Sequence, residues 1–151
     1  MNRLIAAAAT MAALALSLPA SAQFQKPEDA IKYRQSSMFV MANHFGRIGA
    51  MVNNRTPYDA AAAVANAEVV SALSRVHWAG FVEGTAGSAK GGASPKIWSE
   101  RAKFDDAARR MEGEVAKLLA AARTNSLDNL RPAFGAVGQS CKACHDDYRN
   151  P

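Results

Sequence analysis

The sequence predicts an all-α protein, built as an up-down-up-down antiparallel four-helix bundle. Four segments carry apolar residues at the spacing of an amphipathic helix. The connections between the first and second segments, and between the third and fourth, are short enough to make each pair antiparallel. The chain of 151 residues is long enough for one domain with a single core.

The first segment is predicted to begin at Pro27, because proline is favoured at the first position of a helix. Glu28 and Asp29 follow it, and acidic residues stabilise a helix start. Arg34 interrupts one of the two apolar series that continue along this helix. These series are Ile31, Met38, Phe45 and Val52 at one heptad position, and Met41 and Ile48 at the other.

The second segment is predicted to begin with Thr56 as N-cap and Pro57 at the first helical position. Its expected apolar face is Ala62, Ala65, Val69, Leu73 and Val76. Residues 80–95 follow, and they contain five glycines. This connection is longer than a tight bundle turn, and such loops are functional or mobile.

The third and fourth segments have clear apolar faces. In the third segment the face is Phe104, Ala108, Met111, Val115, Leu118 and Ala122. In the fourth it is Leu127, Leu130, Phe134, Val137, Cys141, Cys144 and Tyr148. Pro132 lies inside the fourth segment, where it should remove a backbone hydrogen bond and bend the first turns.

The C-terminal run from Cys141 to His145 reads C-x-x-C-H, the spacing that attaches a c-type haem. On a helix, Cys144 and His145 lie three and four residues beyond Cys141, so all three side chains project from one face. The two thiols can bond the haem vinyl groups, and the imidazole can bind the iron. The cysteines also fall on the apolar face, which predicts one covalently bound haem c between the helices.

Three other interpretations of this run are weaker. A thioredoxin-like redox pair would lie near a βαβ pattern, and no strand pattern is found near it. A structural zinc site needs four ligands, whereas His44 and His77 are distant in sequence from the two cysteines. A simple disulfide would leave His145 without a role.

The first 22 residues have the organisation of a cleaved secretory signal. Arg3 supplies the positive charge, residues 4–18 are apolar, and residues 20–22 form an A-x-A cleavage site. A retained membrane anchor is the alternative, but the apolar stretch is shorter than the ~20 residues that span a bilayer. We therefore expect a signal peptide over residues 1–22, one domain over residues 23–151 and a periplasmic location, without membrane attachment after cleavage.

The formal net charge is +5 at pH 7. No basic cluster with interleaved aromatic residues accompanies this charge, so we do not expect the protein to bind nucleic acid.

With a haem motif at the end of a fourth amphipathic helix, the chain resembles the class II c-type cytochromes, and most closely the cytochrome c′ family. Members of this family are standard examples of the four-helix bundle. The likeness is carried by residues 26–30, 33–36, 44–47, 57–60, 78–81 and 140–149.

The resemblance implies a role for particular side chains. Arg34 and Gln35 would lie beside the haem propionates, and Met38 would cover the iron face opposite His145. The remaining implied contacts are Trp78 and Phe81 in the haem pocket and Arg149 beside the proximal imidazole. Arg34 could instead be an arginine at the bundle edge, Trp78 and Phe81 ordinary core aromatics, and Arg149 a solvated helix-end residue. His44 lies off the distal position, which favours a surface or interface histidine.

Two functions are compatible with the resemblance. In the first, the haem is five-coordinate and binds small diatomic gases such as nitric oxide or carbon monoxide, and it can also transfer electrons. In the second, the Met38 sulfur binds iron and gives a six-coordinate electron carrier. No catalytic nucleophile or acid-base pair accompanies the haem motif, so an enzyme is not expected. The resemblance also implies a homodimer, and the redox partner is not identified.

Overall fold

The computed structural model describes residues 23–89 and 91–151, so the predicted signal peptide lies outside the described residues. Four long helices form the bundle: α1 (Pro27–Val52), α2 (Ala60–Val76), α4 (Arg101–Ala122) and α5 (Leu127–Tyr148). A 3₁₀ turn (His77–Gly80) extends α2, and the short helix α3 (Lys96–Ser99) precedes α4. Helix α1 packs on α2, α2 on α4, and α4 on α5. The predicted all-α four-helix bundle is confirmed.

Helix α1 begins as predicted, with Pro27 at its first position and Glu28 and Asp29 in the first turn. It ends at Val52, and Asn54 then adopts a left-handed conformation with φ of 56°. Asparagine tolerates this conformation better than most residues, which allows the chain to reverse direction toward α2.

The predicted start of the second helix is wrong. Thr56 and Pro57 lie in the connection, and α2 begins at Ala60. The cap is Asp59, whose extended backbone lets its carboxylate accept a hydrogen bond from Ala62 N at 3.0 Å. An aspartate in this position satisfies one of the free N–H groups of the first turn.

The predicted inner face of α2 is also wrong, by one residue. The buried residues are Ala63, Ala67, Val70 and Ser74, whereas Ala65 and Val76 are exposed. Alanine and valine occur all around this helix, so periodicity alone does not select a face. Ser74 can be buried because its hydroxyl donates to the carbonyl oxygen of Ser71.

The predicted apolar faces of the last two helices agree with the structure. All six predicted residues of α4 are buried. In α5 the buried residues are Leu130, Val137 and Tyr148, and the other predicted positions are partly buried. Helix α5 runs unbroken through Pro132.

The glycine-rich loop between the 3₁₀ turn and α3 is fastened to the C-terminus. Ala93 and Arg149 form an antiparallel bridge. Gly91 N donates to Asn150 O, and Asn150 N donates to Gly92 O, both at 2.9 Å. The loop therefore lies against the end of α5, just beyond the haem motif.

Two apolar clusters fill the molecule. The larger one, which we call the bundle core, includes Ile48, Val70, Met111, Val115 and Leu118. The smaller one, which we call the aromatic cluster, consists of Phe81, Ile97, Phe104 and Tyr148. Among the described residues, no helix is long and apolar enough to cross a membrane.

Candidate haem site

A cavity of about 840 Å³ opens between the bundle core and the aromatic cluster. Its volume falls in the range of ~300–1,000 Å³ that is usual for cofactor and ligand pockets. Every site residue predicted from the sequence lines this one cavity. These residues are Arg34, Gln35, Met38, Trp78, Phe81, Cys141, Cys144, His145 and Arg149.

The two cysteines lie on the last turns of α5. Both are partly buried free thiols, and they are not joined in a disulfide. Burial raises the pKa of the Cys141 thiol, and burial with the nearby Cys141 and Asp147 raises the pKa of Cys144 to about 11. The thiols are therefore neutral at pH 7. Within residues 23–89 and 91–151, no group of three or more His, Cys, Asp or Glu side chains is placed to hold a metal ion, whereas a structural zinc site has four ligands.

His145 follows directly on α5 and also lines the cavity. Its desolvation and the positive charge of Arg149 lower the pKa of the imidazole, against a smaller opposing effect of Asp146. A lowered pKa keeps the ring neutral at pH 7, and the neutral ring is the form that binds a metal.

Arg149 is held in place by the glycine-rich loop. Its Nε donates to the carbonyl oxygen of Gly91 at 3.2 Å. Gly91 has φ of 76°, and a Cβ atom there would lie 2.8 Å from Arg149 Nη2. Glycine is therefore favoured at this position by its left-handed backbone conformation.

Arg34 is buried on α1, as the interrupted apolar series suggested, with only 4% of its surface exposed. Nη1 donates to Gly80 O at 2.9 Å and to Thr85 Oγ1 at 2.6 Å, and Nη2 donates to Thr85 O at 2.6 Å. Burial lowers the pKa of Arg34. Neutral oxygens thus hold the guanidinium, which has no anionic partner among the residues that the structure describes. The contact of Arg34 with a propionate stays a prediction.

The other α1 residues of the site differ in exposure. Met38 is partly buried and packs against the aromatic cluster, whereas Gln35 is exposed. Met41 and Phe45 also line the cavity, although the sequence analysis placed them only in the core. An apolar residue on a helix face has the same spacing in either role, so the sequence offers no signal that separates the two.

Trp78 and Phe81 meet the aromatic cluster. The Trp78 and Phe104 rings are arranged edge to face, with centroids 5.7 Å apart. Phe104 in turn packs edge to face on Tyr148, at 5.3 Å. All four aromatic residues line the cavity, and only Trp78 and Phe81 were predicted to do so.

The two remaining histidines have different environments. His44 does not line the cavity, and its Nδ1 lies 2.8 Å from Asn66 Oδ1 on α2. His77 is fully buried and does line the cavity. The sequence analysis gave His77 no role, because a single histidine carries no spacing signal.

These observations fit a covalently bound haem. One segment of the cavity wall carries two neutral thiols and a neutral imidazole at consecutive turns of a helix. The rest of the wall is mainly apolar and aromatic. Trp78 Nε1 is a buried donor that has no hydrogen-bond partner among the described residues, as expected where a polar group of a cofactor would approach.

Comparison with known proteins gives a consistent result. A family model described as Cytochrome C′ matches residues 29–149. The chain is 53% identical over 127 residues to cytochrome c′ of Alcaligenes xylosoxydans xylosoxydans, covering 84% of this chain and 98% of that protein. It is 42% identical over 127 residues to cytochrome c′ of Rubrivivax gelatinosus, with the same coverage of both proteins.

Solved structures show the same similarity. The nitric oxide complex of a point mutant of cytochrome c prime from Alcaligenes xylosoxidans has a TM-score of 0.80 at 50% identity. That match covers 85% of this chain and 99% of the other. The crystal structure of cytochrome c′ from Rubrivivax gelatinosus also gives a TM-score of 0.80, at 42% identity, and covers 85% of this chain and 100% of the other.

Proposed function

This chain belongs to the cytochrome c′ family, which binds haem c covalently, and we propose that it is a periplasmic cytochrome with a five-coordinate haem that binds nitric oxide or carbon monoxide. It can also transfer electrons. The observation that carries the proposal is the composition of the cavity wall. Thiols and imidazole come from one helix, whereas the other helices supply mainly apolar side chains.

In this proposal Cys141 and Cys144 form the two thioether bonds and His145 binds the iron. The haem supplies an iron that changes between ferric and ferrous states and binds diatomic gases. Covalent attachment fixes the haem to the same helix that carries the imidazole. The lowered pKa of His145 supports its role, because the imidazole is already in the binding form at neutral pH.

Met38, Met41 and Phe45 give the α1 part of the wall an apolar surface. Such a surface favours small uncharged ligands, since an anion beside these three side chains would lose its hydration. A relative at 50% identity has been solved as a nitric oxide complex, which supports nitric oxide as the ligand of this chain.

Arg149 is proposed to tune the proximal imidazole. The effect of this positive charge in lowering the pKa of His145, which adds to that of burial, supports the role. A cation near the imidazole disfavours its anionic character and makes it a weaker donor to iron. The hydrogen bond to Gly91 keeps this charge in place.

The second candidate is an electron carrier in which Met38 binds iron. The supporting observation is that Met38 lines the cavity, since a thioether can either fill space or bind iron. Met/His ligation would raise the reduction potential.

The remaining parts of the proposal concern the whole protein. We place the mature domain at residues 23–151, after a cleaved signal peptide, and assign it binding and electron transfer rather than catalysis. We propose a homodimer on the likeness to the cytochrome c′ family alone. The physiological redox partner is a separate protein.

Two experiments test the proposal. Acid-acetone extraction of the periplasmic protein should leave the haem on the polypeptide, and a colour that extracts would contradict covalent attachment. Titration of the reduced protein with nitric oxide should give a saturating change in the visible spectrum. A spectrum that does not respond to nitric oxide would contradict the gas-binding function.

A further inference from the structure

His77 is a buried polar side chain in the wall of the haem cavity. It belongs to the 3₁₀ turn that follows α2, and none of its surface is exposed. Its Nδ1 lies 2.9 Å from the carbonyl oxygen of Leu73. Because a carbonyl oxygen can only accept, Nδ1 carries the hydrogen of this bond.

The other ring nitrogen has no such contact. In the neutral ring Nε2 bears a lone pair, since Nδ1 is protonated. Within the described part of the chain, Nε2 is buried without a hydrogen-bond partner. Burial lowers the pKa of His77, against opposing effects of the Leu73 hydrogen bond and of Glu112 on α4. The neutral form, with its free acceptor, is therefore favoured at pH 7.

The adjacent Trp78 has a hydrogen-bond donor that is likewise unpaired. Its Nε1–H is a donor, and it too is buried without a partner among the described residues. The His77 and Trp78 rings are in contact, with centroids 3.9 Å apart, and both residues line the cavity. One turn thus brings an unused acceptor and an unused donor to the same cavity.

Buried polar groups in folded proteins are almost always hydrogen-bonded, because an unpaired one loses the bonds that water gave it. A pair consisting of one acceptor and one donor matches a group that both donates and accepts. Water does so, and so does a protonated carboxyl group.

We propose that His77 and Trp78 together bind one hydroxyl-bearing group inside the cavity, either an ordered water molecule or a protonated carboxyl group of the haem. The hydroxyl donates to His77 Nε2, and an oxygen of the same group accepts from Trp78 Nε1. This site rests on the proposed function only in that the cavity holds a haem. It does not depend on which group, the Met38 sulfur or nitric oxide, binds the iron opposite His145.

A crystal structure of the haem-loaded protein tests the proposal directly. We expect an oxygen atom within about 2.6–3.2 Å of His77 Nε2, with the same group in reach of Trp78 Nε1. The oxygen belongs to a separate water molecule in one case and to a haem propionate in the other. If only carbon atoms face Nε2, the proposal is overturned.

The reduction potential distinguishes the two sources in solution. A protonated propionate shared with His77 makes the potential vary with pH near neutrality, and His77→Phe should flatten that dependence. A water molecule carries no titrating charge, so the two proteins should then show the same pH profile near neutrality, where His77 is neutral. The water should be lost from the crystal structure of the variant.

Discussion

Arg34 Nη2 donates to the carbonyl oxygen of Thr85 at 2.6 Å, across 51 residues of sequence. A second bond joins Arg34 Nη1 to the Thr85 hydroxyl, which itself donates to Val82 O. The guanidinium also lies 4.8 Å from the centre of the Phe81 ring. These contacts fix the loop after the 3₁₀ turn against α1 at the edge of the haem cavity.

The hydroxyl of Thr85 should be needed for the burial of Arg34. Thr85→Val keeps the shape of the side chain and removes the oxygen that accepts from Nη1, so we expect a loss of about 1–3 kcal/mol in the free energy of unfolding. Urea unfolding of the haem-loaded protein measures it. Thr124→Val is the control, because Thr124 is exposed and bonds only locally through the carbonyl of Ala121 and the amide of Asn129. Equal losses in both variants would contradict the role of Thr85.

Arg34→Ala should lower the haem reduction potential. The cation disfavours the more positive ferric state, so its loss favours that state. A redox titration at low salt, where charges are least screened, measures the shift. Arg131→Ala is the control, since Arg131 bonds Asn54 and does not line the cavity. A potential that stays at the wild-type value in Arg34→Ala would show that the charge is not sensed by the haem.

The stability of the haem-loaded protein should fall as the pH decreases below about 6.5, the ordinary pKa of histidine. Burial lowers the pKa of folded His77, so the unfolded chain binds a proton at a higher pH than the folded protein does. The stability continues to fall with decreasing pH until the pH reaches the pKa of His77 in the folded protein. Urea unfolding at pH 7.5 and pH 5 should show a smaller difference in His77→Phe than in His44→Phe. The same pH dependence in both variants would exclude His77 as its source.

Gly91→Ala should destabilise the protein by about 1–2 kcal/mol, because a left-handed conformation costs that much in a residue with a Cβ atom. The new Cβ would also displace the guanidinium of Arg149, which is exposed and can shift. Gly113→Ala should have the opposite effect, since Gly113 lies in α4 with nothing within 4 Å of a Cβ there. Thermal unfolding measures whether the midpoint temperature falls in Gly91→Ala and rises in Gly113→Ala. A stabilised Gly91→Ala would show that the glycine-rich loop is not held as described.

Several features of the fold could be predicted because they depend on residues that are close together in the sequence. Pro27 and the acids after it mark the start of α1, and the apolar face of α4 has strong alternation with charged residues. Helix α2 is different, since small apolar residues surround it and the buried face is chosen by contacts with α1 and α4. The sequence does not separate Thr56–Pro57 from Asp59, because both have favourable chemistry for a helix start. In the structure Asp59 is the cap, with an extended backbone and a carboxylate that accepts from Ala62 N.

The residues of the haem site also divide into those that a local sequence pattern predicts and those that it does not. Cys141, Cys144 and His145 are recognisable because their roles depend on spacing within one helix turn. Thr85 acts through Arg34, 51 residues away, and His77 through its place in the cavity wall, so neither has a local signature. The burial of Arg34 could be predicted from the apolar residues around it, but its neutral partners could not.

The ferric absorption spectra of wild type and Met38→Ala decide whether the haem is five-coordinate. We expect a high-spin wild-type spectrum without a near-infrared sulfur-to-iron band. Met38→Ala should then bind carbon monoxide faster, because a steric barrier is removed, with little change in potential. A fully low-spin wild-type spectrum whose sulfur band disappears in Met38→Ala would contradict the five-coordinate haem and establish the Met38-ligated electron carrier.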